Sequence, residues 1–99
     1  MYYIKIHKSY RNVIAICDSE VIGKYFESGN FQLDVKESFY KGDKVNEEKL
    51  WEIISNQSKE DSTFNIVGEN SIKIALKSGI ISKQGIKKIS GIPFALVLL

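Results

Sequence analysis

One cysteine, one histidine, one proline and one tryptophan occur in 99 residues, and each scarcity closes a line of chemistry. Cys17 has no partner for an intramolecular disulfide and cannot start a cysteine-based zinc site. It lies inside "VIAIC", where a small buried hydrophobe is expected and an activated thiol is not. His7 alone would have to supply any histidine metal site or Ser-His-Asp relay; its place on an alternating strand makes it a surface histidine instead. Phosphate-loop, dinucleotide, zinc-protease and nucleophile-elbow spacings are all absent. Catalytic residues, metal ligands and cofactors are therefore all read as none, and the sequence leans against an enzyme.

Long apolar runs are missing too. "IPFALVLL" falls well short of the roughly 18 residues that a spanning helix needs. "MYYIKIHKSY" has neither the apolar core nor the small-residue cleavage site of a signal peptide. A cytoplasmic protein with no membrane partner is expected. Acids are lacking in one region only: beyond Glu69 there is no Asp or Glu, while Lys73, Lys77, Lys83, Lys87 and Lys88 all follow it. The formal net charge is only +2, so the asymmetry lies in the arrangement rather than in the total.

What is present describes a single globular domain, residues 1–99. Hydrophobic residues make up 43% and aromatics 11%, enough for a packed core. "YYIKIHK" alternates, with Tyr2, Ile4 and Ile6 on one face, and "NVIAIC" is apolar on both, so the two predict an antiparallel pair around "SYR". "ESGN" reads as a turn, "FQLDV" as a strand and "ESFYKGDK" as a loop carrying Phe39 and Tyr40. Asn46 caps a helix with Glu47 and Glu48 in its first turn and Leu50, Ile53 and Ile54 in its stripe. A second helix is predicted from about Asn70 to Ser78, closed by Gly79. "IKKI" and "FALVLL" complete the strands, the last expected inside the sheet or under a helix because it is apolar on both sides. The fold class is α+β: a mostly antiparallel sheet of about five strands with two helices packed on one face.

"NIVGENS" raises the question of a phosphate site, because a strand runs through a glycine into a helix. A single glycine and the adjacent Glu69 argue against it. The reading is a structural turn: Gly68 for the backbone, Glu69 to complement the helix dipole, Asn65 to bond at the corner.

The order and spacing of "HKS", "VIAICDSEVIGKYFESGNFQLDV", "SFYKGDKV", "NIVGE", "KSG" and "GIP" make the chain resemble an archaeal family known as Domain of Unknown Function 424. The resemblance implies an archaeal, cytoplasmic, single-domain protein, and the company such small families keep points to translation or RNA metabolism. The leading functional expectation is a non-catalytic accessory protein bound to RNA or the ribosome through its basic C-terminal half, with Lys73, Lys77, Lys83, Lys87 and Lys88 as contacts. One alternative is a protein-interaction module using the aromatic loop, Phe39 and Tyr40, or a sheet edge. The other is a small-molecule enzyme with a site near Cys17, Asp18, Asn65 and Glu69.

Overall fold

The computed structural model describes residues 1–98, and its organising element is a six-stranded sheet. The strands are β1 (Tyr2–His7), β2 (Asn12–Asp18), β5 (Asp43–Val45), β6 (Ser62–Val67), β7 (Lys87–Ile89) and β8 (Ile92–Leu98), in the order β5-β1-β2-β6-β8-β7. β3 (Tyr25–Ser28) and β4 (Phe31–Asp34) form a separate antiparallel hairpin. The helices are α1 (Glu37–Tyr40), α2 (Glu47–Gln57) and α3 (Glu69–Ser78). The α+β class and the mostly antiparallel sheet match expectation. The sheet has six strands where about five were expected; β4 was expected but pairs only with β3 outside the sheet, and β3, β5 and α1 are additional.

Two departures have clear physical causes. "YFES" carries no apolar alternation that would mark a strand, yet it pairs with β4 across the Gly29 turn, where φ is 60°, with Tyr25 and Glu27 both exposed. "ESFYKGDK" is not simply a loop, since its first half makes a single helical turn and Asp43–Val45 then pairs with β1. Gly42 lies so close to that strand that a Cβ there would stand 2.2 Å from the Ile4 carbonyl oxygen.

β2 and β6 run parallel, Asn12 opposite Ser62 through Cys17 opposite Val67, while every other pairing in the sheet is antiparallel. Parallel neighbours need a long crossover, and here the hairpin, α1, β5 and α2 all lie between the two strands. Their C-terminal ends therefore emerge side by side, and α3 begins there.

Alternation divides the core in two. Ile14 and Ile16 point into a cluster with Tyr2, Ile4, Phe64, Ile66, Leu50, Ile54, Ile72, Ile74 and Ala75. Ala15 and Cys17 point the opposite way, into a cluster with Val21, Leu33, Val35, Tyr40, Val67 and Ile89. α2 is built as its sequence indicates: the Asn46 side chain accepts from the Lys49 amide at 2.9 Å, and Leu50 and Ile54 are buried while Trp51 stays outside. β8 lies inside the sheet, between β6 and β7, as expected. One of its faces is covered through Ala95, while on the other Leu96 and Leu98 are 62% and 71% exposed.

The two leucine environments give a direct check. Leu50→Ala should cost about 3 kcal/mol in urea unfolding, as for other fully buried leucines. Leu96→Ala should cost less than about 1 kcal/mol. Equal losses at the two positions would contradict the assignment of buried and open faces.

Candidate functional site

The corner where β2 and β6 end is where the glycine turn was read as structural, and its geometry is specific. Gly68 has φ 113° and ψ 152°, a backbone state that side chains strongly disfavour. A Cβ on Gly68 would also lie 2.4 Å from the Asp18 carboxyl carbon. Asp18, the last residue of β2, is 4% exposed and turned onto the start of α3. Its Oδ2 accepts from the Asn70 amide at 3.0 Å; its Oδ1 accepts from the Ser71 amide at 2.7 Å and from the Ser71 hydroxyl at 2.6 Å. The amides that would hold a phosphate are thus taken by a carboxylate of the same chain.

Two assignments at this corner are corrected. Glu69 is exposed, and the group aimed at the helix amides is Asp18, over fifty residues earlier in the chain. Glu69 remains in the first turn, where its charge still suits the dipole. Asn65 is no corner residue either: it sits within β6, opposite Ala15 on one side and Leu96 on the other.

Cys17, beside Asp18, is fully buried. Burial, followed by the neighbouring Asp18 charge, pushes its thiol up from 9.0 to about 12. Such a group is a packing atom and offers no thiolate at neutral pH. Among the described residues no group of three or more His, Cys, Asp or Glu could hold a metal ion.

The aromatic pair is largely spent on packing. Tyr40 is buried, and its hydroxyl is pushed up from 10.0 to about 12 by desolvation and then by Cys17. Phe39 stacks on His7, with ring centroids 4.6 Å apart and planes 17° from parallel. His7 is half-buried and not a free surface histidine, its Nε2 lying 2.8 Å from the Phe39 carbonyl oxygen. Neither ring is offered freely to a partner.

All five C-terminal lysines are exposed. Lys73 and Lys77 lie one turn apart on α3, and Lys83 sits in a short 3-10 turn, Lys83–Gly85. Lys87 and Lys88 are consecutive in β7 and so point to opposite sides of the sheet. Lys87 opposes Phe94 on the Cys17 side, and Lys88 opposes Pro93 on the other. Five lysines on one strip is therefore not the arrangement. The side chains that sequence reasoning passed over are Phe31 and Phe94. With Lys87, Lys88, Ser28 and Ile89 they line a cavity of about 210 Å³ between the hairpin and β7. Phe31 shares a period-2 face with the buried Leu33 and Val35, yet it is 72% exposed because the hairpin tip overhangs the core.

The family described as "Protein of unknown function (DUF424)" matches residues 7–99. The chain belongs to this family. A crystal structure of an uncharacterized conserved protein from Methanopyrus kandleri shares the fold, with a TM-score of 0.77 at 22% identity over 98% of this chain and 91% of that one. No functionally curated protein matches the sequence. Membership is thus firm for a DUF424 protein, and it brings no activity with it. Among the described residues, no helix is long and apolar enough to cross a membrane.

Cys17 and Tyr40 make the protein sensitive to alkali. Both ionise at lower pH when unfolded, from 9.0 and 10.0 respectively, than when folded, near 12. Their contribution to stability is full below the unfolded values and is lost as pH rises towards the folded ones. Urea midpoints should fall between about pH 9 and pH 12, and Cys17→Val should remove part of that fall while the tyrosine share persists. A midpoint flat across this range would contradict the buried protonated thiol.

Proposed function

We propose that this DUF424 protein is a non-catalytic accessory protein that associates with RNA, in the setting of the ribosome or translation machinery, through the basic surface of its C-terminal third. One observation carries the reading. Lys73, Lys77, Lys83, Lys87 and Lys88 are all exposed, and the ion pairs among the described residues, Lys41–Glu37 and Lys49–Glu52, involve none of them. No acidic side chain follows Glu69 to neutralise them from within the same stretch. Unneutralised lysines attract phosphate without reading bases, so binding should be only weakly sequence-specific.

Because Lys87 and Lys88 face opposite ways, a single RNA strand would engage only part of the set. With three contacts, log affinity for single strands should fall against log salt with a slope of about −2, and each contact removed should flatten it by about 0.7. Lys73→Gln with Lys77→Gln should therefore change the slope by about 1.4 and leave the thermal midpoint nearly unchanged. Absence of RNA binding by the wild type at low salt would end the reading.

A second reading, a protein-interaction module working through a sheet edge, is favoured by β8. β7 pairs only with Ile92–Phe94, so no strand borders Ala95–Leu98 on that side among the described residues. The Gly68 amide donates to the Pro93 carbonyl at 2.9 Å, so alternation turns the backbone of Leu96 away from β6. An extended peptide could pair there.

A further inference from the structure

Resting on the RNA reading above, we propose that the cavity between the hairpin tip and β7 is a stacking site for one base of single-stranded RNA, with Phe31 and Phe94 as its rings and Lys87 as its phosphate contact. The cavity measures about 210 Å³ and is bounded by Ser28, Phe31, Lys87, Lys88, Ile89 and Phe94. Lys87 and Phe94 are direct cross-strand partners, so a cation and an aromatic face lie side by side on the Cys17 side of the sheet.

Phe31 completes the arrangement from above. It pairs with Ser28 at the end of the hairpin, beyond Leu33 and Val35, which are buried. The hairpin is held over β7 by a specific contact. The Ser90 hydroxyl donates to the Glu27 carbonyl at 3.1 Å, from a turn in which Ser90 and Gly91 have φ of 52° and 80°. Glu27 precedes Ser28 in β3, and strand alternation directs its side chain away from the face that Ser28 gives to the cavity. Leaving a phenylalanine 72% exposed gains nothing for the core. Beside Lys87 it suits a ligand that presents a planar ring and a negative charge within one repeat. Single-stranded nucleic acid does so at every residue, and base–aromatic stacking tolerates any base. A duplex keeps its bases stacked on one another and cannot use the site.

The test is fluorescence anisotropy with a labelled short single-stranded RNA and the duplex of the same sequence. Phe31→Ala is the main variant, since an exposed ring can be removed without unfolding the chain, and Lys87→Gln is its companion. Phe31→Ala should weaken single-strand binding about tenfold with an unchanged salt slope, Phe31→Trp should retain it, and duplex binding should not respond. Lys87→Gln should flatten the single-strand slope by about 0.7. If the wild type binds RNA and neither variant alters single-strand affinity, the stacking site is wrong while the RNA reading stands. If the wild type binds neither RNA at low salt, both fall. Tighter binding of a labelled acidic, aromatic-containing peptide than of RNA, lost in Phe31→Ala, would assign the cavity to a protein partner and overturn the proposal.

Discussion

The rest of the structure depends on one carboxylate placed at one helix terminus. The first amides of a helix have no intrahelical acceptor and carry a partial positive charge. In this DUF424 protein Asp18 meets that need from the end of β2, accepting from the Asn70 and Ser71 amides and the Ser71 hydroxyl. A buried carboxylate is costly unless its oxygens are satisfied, and charge-assisted hydrogen bonds of this kind contribute about 1.5–3 kcal/mol each. The contact joins the only parallel strand pair of the sheet to the helix that follows it. It also fixes the residue at 68, because Asp18 occupies the space into which a side chain would project. A strand–glycine–helix corner is the architecture of an anion site, and here the anion belongs to the chain.

This arrangement closes the corner and leaves the sheet edges as the open surfaces. Cys17 and Asp18 are committed to packing and to the helix terminus, so the corner that looked most like a site is closed. β5 and β7 have three residues each, shorter than the strands they flank. They cover one end of β1 and of β8, and among the described residues no strand borders the outer edges of Lys5–His7 and Ala95–Leu98. α1 packs over β1 and β2 and the hairpin packs beside β7, burying Leu33, Val35 and Tyr40. β8 shows Leu96 and Leu98 to solvent. Lys87, Lys88, an overhanging aromatic and, among the described residues, an uncovered stretch of strand edge lie around β7 and β8, and the proposed binding role rests on them.

How much of this could be read from the sequence varied with the range of the interaction. α2 was legible because its cap, its acidic first turn and its apolar stripe are all local, and Gly79 likewise marks the end of α3 with φ 83°. β1 and β2 follow from alternation and a short connection. Glu69 stands in the first turn of α3 as read, but the group bonded to the helix amides was not legible: Asp18 arrives from 52 and 53 positions away through a parallel pairing that no local pattern announces. The hairpin was half legible, since β4 alternates and β3 does not. For the candidate site, the lysines could be counted from the sequence, but their division between faces depends on the register of β7. The exposure of Phe31 was not legible, because alternation shows which face a side chain takes and not where the core ends.

The central claim, that Asp18 is the anion of the α3 terminus, is tested most directly by amide hydrogen exchange at Asn70 and Ser71, followed by NMR in the wild type and in Asp18→Ala. If the carboxylate holds these amides, both should be protected in the wild type to a degree approaching the strands of the sheet, and inorganic phosphate should not shift them. Asp18→Ala should release both amides while the centre of β2 stays protected. Rapid exchange of Asn70 and Ser71 in the wild type, or phosphate-induced shifts at those two amides, would contradict the account.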